Sequence, residues 1–477
     1  MAYLLILVPL AFALVAVLVR SDRTRPWVVS AGGVAQGVVT VLALRSEKVV
    51  GLYDWLVLDK VGKLVVALTS AIFFVCALYV PAYLREQPDR PNRIFCSCLL
   101  VFDAMLSLIA ESHHLGLLWV AVEAATLSTA PLVYFRRDQR ALEATWKYLL
   151  IGSVGIALAL LGSLFLAYSA LRANLEPSLL MDDLLRDAPH LSKPWLHSAF
   201  VILFVGYGTK MGLAPMHTWK PDAYGEAPGV VGTLLAGGLT SGAFLAIVRF
   251  FRICHAAGDA TFARQMMLVI GLVSMAVAGV FMARQRDFKR MLAYSSVEHM
   301  GILVVGLGLG GAGVFGSFLH MINNGLTKAV LFLSAGNIHR AFASKRVDDV
   351  SGALRRVPLS GAMFLAGFFA ITGSPPFGPF LSEFTIVRAA FGEHRYGVGS
   401  AFLVLLAVIF VGMGATVVSV VQGKPTEAAE ATSFRERLGN VAPIAIALAA
   451  VLLLGLYLPP PLEHMIRDAA DGLGEGP

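Results

Sequence analysis

The strongest constraint on this chain is the recurrence of apolar runs of about 20 residues, the length a helix needs to cross a bilayer. Such runs lie near residues 3 to 19, 27 to 44, 61 to 84, 94 to 111, 115 to 135, 144 to 170, 197 to 220, 229 to 251, 262 to 283, 291 to 309, 313 to 338, 360 to 388, 398 to 421 and 440 to 458. With 57% hydrophobic and 14% charged residues among 477, and a mean hydropathy of +0.73, a string of soluble domains is excluded. The sequence reads as an all-α polytopic membrane protein with about 14 transmembrane helices. The first run looks like a signal peptide, but no A-x-A-like site follows it and a second run comes soon after. It is therefore expected to be a retained helix.

The formal net charge of +7 is spread over short connections rather than gathered in one patch, so it encodes topology and implies no nucleic-acid partner. Arg20/Arg23/Arg25, Arg85/Arg90/Arg93, Arg136/Arg137/Arg140, Arg284/Arg286/Lys289/Arg290 and Lys345/Arg346/Arg355/Arg356 all fall on odd-numbered connections. If these face the cytoplasm, both termini lie outside a bacterial cytoplasmic (inner) membrane. The Arg45/Lys48/Lys60 and Arg249/Arg252/Arg264 connections run against that pattern. Of the cysteines Cys76, Cys96, Cys98 and Cys254, only Cys96 and Cys98 have close spacing, whereas an iron-sulfur cluster normally takes four thiolates. No Walker loop, no dinucleotide fingerprint and no H-E-x-x-H is present, so no cofactor and no metal is expected.

Two runs are interrupted at membrane depth. "TKMGLAPMHTW" places Gly212 and Pro215 inside the seventh, and "ITGSPPFGPFLSEF" places Gly373, Pro375, Pro376, Gly378 and Pro379 inside the twelfth. Neither can be a continuous helix, and broken helices are tolerated in a membrane only within protein or beside a hydrated cavity. Transporters built from repeats place such breaks at their transport sites. Because the breaks are five helices apart, helices 4 to 8 and 9 to 13 are expected to form inverted repeats. The resulting division is 1–93 for helices 1 to 3, 94–252 for the first repeat, 261–422 for the second, and 423–477 for a loop, the final helix and the tail.

An ionisable group at the centre of a span costs about 2.5 to 3.5 kcal/mol, so groups that persist there must face one another or water. Glu123 lies too deep to snorkel, and Lys210 stands just before the first break. Either they form a static buried bridge, a poor stabiliser once desolvation is counted, or a switchable proton site. His320, Asn324 and Lys328 follow i, i+4, i+8 spacing and form one polar stripe on a helix face. Glu383 follows the second break and is either a terminal proton carrier or a charge complementing the dipole of the second half-helix. Asp103, His217, Glu226, Ser241, Glu298 and His299 are secondary candidates. Glu298 and His299, being adjacent, are expected to point to different faces, with at most one on the path.

The segments "KMGLAPMHTWKPDAYGEAP", "RQRDFKRMLAYSSVEHMGIL", "HMINNGLTKAVLFLSAGNI" and "AITGSPPFGPFLSEFTI" together resemble the antiporter-like proton-pumping subunits of respiratory complex I and group 4 membrane-bound hydrogenases, specifically the component F type. The resemblance runs from about residue 95 to 390. It implies 14 helices, two inverted five-helix repeats, broken seventh and twelfth helices, and a proton relay carried by Glu123, Lys210, His320, Lys328 and Glu383. This chain departs from the family at Ser241, where one branch has lysine, and at Asn324, where a second histidine is common, leaving water, Ser241 or Thr240 to carry a proton between the halves. It also lacks the long lateral helix of the largest complex I antiporter subunit, which implies a smaller or internal member of an array. The expected function is a proton-translocating subunit, without a redox centre of its own, of a redox-driven oxidoreductase complex with other membrane subunits and a peripheral redox module. The alternatives are a subunit of a multi-subunit Na⁺/H⁺ antiporter and a non-pumping membrane scaffold of an inorganic-carbon or hydrogenase complex.

Overall fold

Each expected apolar run has a helix, or a pair of helices around a break, at its place. The computed structural model describes residues 1–283, 285–425 and 432–473, so Arg284 of the connection charges lies outside the described residues. The long helices in chain order are α1 (Ala2–Leu18), α2 (Arg25–Arg45), α3 (Lys60–Arg85), α4 (Arg93–Glu111), α5 (Leu115–Val133), α6 (Gln139–Arg172), α7 (Lys193–Met211) and α8 (Trp219–Glu226). They continue as α9 (Gly229–Ala256), α10 (Ala260–Met282), α11 (Phe288–Leu309), α12 (Ala312–Phe342), α13 (Pro358–Ile371), α14 (Gly378–Gly392), α15 (Tyr396–Val421), α16 (Leu438–Leu456) and α17 (Pro460–Asp471). Among the described residues, ten helices are long and apolar enough to cross a membrane, and α1 and α13 are shorter apolar helices.

Burial sorts these helices into a core and a rim. The apolar windows of α9 and α11 are wholly buried, while α15 leaves Leu403, Val404, Val408 and Val411 exposed along one side, as a lipid-facing helix must. The long α12 packs against α3, α9, α11, α13, α14 and α16, so nearly every side chain it carries meets protein. Polar residues on α11 and α12 are therefore sealed inside the bundle.

Both breaks open where glycine takes a left-handed conformation. Gly212 has φ +81° and Gly373 φ +68°, a region that costs other L-residues free energy. The freed backbone groups find partners. The Leu213 N–H donates to Gly208 O at 2.9 Å, the Ala214 N–H donates to Ser274 Oγ at 2.9 Å, and the Trp219 indole N–H donates to Thr209 O at 2.8 Å. At the second break Asn323 Nδ2 donates to Gly378 O at 2.8 Å. Protein groups thus replace the water that a break in lipid would lack.

Two basic residues counted as connection charges are structural. Arg249 is buried, and its guanidinium donates to the carbonyls of Ile109, Ala110 and Ser112 at the end of α4. Arg25 is also buried and donates to Ala16 O and Val19 O at the end of α1. Each supplies donors to carbonyls at a helix C-terminus, where the intrahelical ladder runs out. Elements not anticipated include short helices at Met181–Asp187 and Ala353–Arg356, a small antiparallel hairpin pairing Val50–Gly51 with Leu56–Val57, and α17. Helix α17 is amphipathic and buries Ile466, Ala469 and Ala470 where it packs on α3 and α12.

Candidate functional site

Lys210 occupies the last turn of α7 and is 1% exposed. Its Nζ donates to Glu123 Oε2 of α5 at 3.0 Å and to Thr126 Oγ1, one turn further along α5, at 2.6 Å. Glu123 Oε1 accepts from Ser153 Oγ of α6 at 3.0 Å. The pair is asymmetric, with side-chain exposures of 1% for Lys210 and 19% for Glu123, so the carboxylate is the member nearer the protein surface. Gly152 of α6 leaves the ammonium its space, for a Cβ there would stand 2.9 Å from Lys210 Nζ.

The stripe on α12 is buried along its length and meets α11 and α14. Lys328 Nζ donates to Ser295 Oγ at 2.8 Å. His320 Nε2 lies 2.9 Å from His299 Nδ1, and His320 Nδ1 lies 2.9 Å from Ser382 Oγ. The Ser382 hydroxyl proton goes to Pro379 O at 2.9 Å, so Ser382 accepts from His320 Nδ1–H. Neutral His320 then accepts at Nε2 from His299 Nδ1–H. This assignment leaves His299 Nε2 with a free lone pair 3.7 Å from Glu298 Oε2. The two imidazoles thus form a directed hydrogen-bond chain whose open acceptor faces a carboxyl group.

Glu298 and His299 are both buried at 1% and 0% exposure, and both meet this cluster instead of diverging, because α11 is enclosed on all sides. Glu383 of α14 completes it. One ligand atom each from His299, His320 and Glu383 lies within 4.8 Å of the others, which is also a spacing at which a metal could be held. Asn324 Oδ1, His299 Nε2 and Glu383 Oε1 are buried without a protein hydrogen-bond partner. Buried polar atoms of this kind are ordinarily met by water.

The remaining candidates stand apart. Asp103 is buried on α4 with Oδ2 unpartnered, and no hydrogen bond or ion pair among the described residues joins it to the relay residues. His217 packs beside the rings of Phe281 and Tyr294. Glu226, at the end of α8, pairs with Lys345 at 2.6 Å and Arg136 at 3.8 Å, on the face where the basic connections gather. The hydroxyls of Thr240 and Ser241, expected to carry a proton between the halves, donate to Ala236 O and Gly237 O, each at 2.6 Å. They serve their own helix. Lys220 of α8 was missed, although it is 0% exposed and its Nζ donates to Ser296 Oγ at 3.0 Å. Its signal was a lysine directly after a helix break, in "HTWKPDAYG".

Residues 112–414 match the family described as NADH:quinone oxidoreductase/Mrp antiporter, transmembrane. This chain belongs to that family. All of the residues grouped above, from Glu123 to Glu383, lie within the family's segment, whereas Asp103 and helices α1 to α3 lie before it. The chain is 34% identical over 430 residues to a hydrogenase-4 component F homolog of Methylacidiphilum infernorum, covering 85% of this chain and 86% of that one. Its fold is shared with a chain of the membrane-bound sulfane sulfur reductase, an archaeal respiratory membrane complex, at TM-score 0.88 and 20% identity over 99% of this chain and 98% of that one. It is also shared with a chain of the Mrp complex of Dietzia sp. DQ12-45-1b, at TM-score 0.86 and 19% identity, covering 99% and 97%. The chain is an antiporter-like integral membrane subunit of the kind that works beside other membrane subunits.

Proposed function

We propose that this chain translocates protons as a membrane subunit of a redox-driven complex of the hydrogenase or NADH-quinone oxidoreductase type, with both termini outside the cytoplasmic membrane. The observation that carries this reading is the buried Lys210–Glu123 pair at a helix break, 3.0 Å apart. A buried pair is a poor stabiliser of a fold, and a helix break is a costly place to build one. Glu123, the more exposed member, is placed to receive an electrostatic signal from a neighbouring subunit. Lys210 holds or releases a proton according to the charge opposite it.

The second half of the path begins at Lys328 and ends at Glu383, in an order that the spacing on α12 does not disclose. Lys328 meets α11 at Ser295, while His320 lies toward α14 at Ser382. A proton leaving Lys328 goes to Glu298, then to the open Nε2 of His299. The His299–His320 bond passes the charge to His320, whose Nδ1–H turns from Ser382 to hand a proton to Glu383, one of whose oxygens has no protein partner. Moving one elementary charge against 100 mV needs about 2.3 kcal/mol, which the partner's redox chemistry supplies.

The residues 94–252 and 261–422 are proposed as inverted repeats, with 1–93 and 423–477 outside them. Gly212-x-x-Pro215 and Gly373-x-x-Pro376 support this, since both glycines are left-handed. A Cβ at Gly212 would meet Lys220, and one at Gly373 would meet Glu383, so each break seats an ionisable side chain of the half-helix that follows.

The test is purification of the tagged chain from its native membrane in mild detergent, with mass spectrometry of its partners. Nickel-hydrogenase-like or quinone-reductase-like iron-sulfur subunits are the expected companions. Recovery of small antiporter-type membrane proteins alone would overturn the redox-driven reading in favour of Na⁺/H⁺ exchange.

A further inference from the structure

The expected path had no titratable group between its two halves. Both sides of the first break are pinned together by the Trp219 indole on Thr209 O, at 2.8 Å, and the residues next in sequence to these two are Lys220 and Lys210. From the far side of the break, Lys220 reaches α11, where Ser296 accepts from its Nζ at 3.0 Å. The adjacent residue, Ser295, accepts from Lys328 Nζ at 2.8 Å. Two lysines from two different helices therefore converge on one pair of neighbouring hydroxyls.

The surroundings of Lys220 are unsuited to a fixed charge. It is 0% exposed, and among the described residues no carboxylate pairs with it. Its neighbours include the face of the Tyr224 ring, 5.8 Å from Nζ, a modest stabiliser of a cation, and the imidazoles of His217 and His299, on which its charge acts. Lys328 is close enough for its charge to act on Lys220. An unpaired buried ammonium is costly and two in reach of each other more so, so one shared proton is favoured over two.

We infer that Lys220 is the proton carrier between the Lys210 half and the Lys328 half, exchanging a proton with Lys328 across the Ser296–Ser295 hydroxyls. This rests on the proton-relay reading above. In the step, Nζ–H of Lys220 breaks as an O–H forms on Ser296, the original Ser296 hydroxyl proton passes through a bridging water to Ser295, and the original Ser295 hydroxyl proton forms the new N–H on Lys328. The reverse turn of the hydroxyls resets the chain. No oxidant or co-reactant is required.

The chain, purified with its native partners and reconstituted in liposomes, would be driven by a valinomycin-imposed potassium potential, with proton flux read by an internal pH dye. Lys220→Met, similar in length but without charge, should lower flux at least tenfold while partner recovery is unchanged. Lys220→Arg should fail equally, since a guanidinium does not release its proton, and Lys220→His should retain part of the flux. A merely structural cation would instead be rescued by arginine. Ser295→Ala combined with Ser296→Ala, a smaller change, should lower flux several-fold and keeps the test available should Lys220→Met fail to assemble. Wild-type flux in Lys220→Met, or in the double serine variant, together with loss of flux in Lys210→Met, would overturn the bridge alone. Wild-type flux in Lys210→Met would overturn the relay beneath it.

Discussion

Gly152 carries no charge, yet replacing it with alanine probes the Lys210–Glu123 pair directly. The new Cβ would stand 2.9 Å from Lys210 Nζ, and relieving that contact takes a shift of about 0.5 Å. Thr126 and Glu123 already bond the ammonium at 2.6 and 3.0 Å, distances with no room to shorten, so the ammonium turns aside and one or both bonds lengthen. Lengthening the ion pair from 3.0 Å to roughly 3.5 Å at an effective dielectric of about 20 weakens the attraction by about 0.8 kcal/mol. That is a factor of about four in any equilibrium the pair governs. Proton flux in liposomes carrying the purified complex should fall about fourfold in Gly152→Ala, with stability and partner recovery unchanged. On the residual flux of a Glu123→Gln background the same change should cost less than about twofold, the signature of coupled sites in a double-mutant cycle. Equal losses in both backgrounds would show that Gly152 acts through packing and refute the reasoning.

Other perturbations separate relay from scaffold. His320→Gln breaks the directed imidazole chain and should lower flux more than tenfold with unchanged melting temperature; unchanged flux would remove His320 from the path. Ser241→Ala should leave flux within about twofold, because that hydroxyl already donates to Gly237 O; a tenfold loss would return Ser241 to the relay. Arg249→Met should lower stability by about 3 kcal/mol, read from thermal unfolding of the detergent-solubilised protein, since it removes a buried donor from three carbonyls and leaves Asp59, 3.5 Å away, without its cationic partner.

Periodicity and punctuation made much of this fold legible. Apolar runs locate helices because lipid accepts little else, and Gly212, Pro215, Gly373 and Pro376 mark breaks because no helix continues through such residues. The site was legible where one residue in a long apolar run had no soluble explanation, as with Glu123 and Lys210, or where several shared one face, as on α12. Adjacency misled at Glu298 and His299. On a helix with one buried face neighbours diverge, but α11 is enclosed by protein, so both faces can reach polar partners. Lys220 was hidden for a related reason, because a lysine beside a helix end reads as an interfacial charge until the chain folds back and buries it. Arg25 and Arg249 were misread in the same way as connection charges, since their acceptors are carbonyls on other helices and leave no trace in local sequence.

In the proposed relay Lys210 carries a translocated proton. Its most direct test is Lys210→Met in the native assembly, with proton movement measured in membrane vesicles while the partner's redox reaction runs. The expected result is an assembled complex whose proton movement is lost or falls by at least tenfold per electron transferred. An assembled Lys210→Met complex that moves as many protons per electron as the wild type would contradict it.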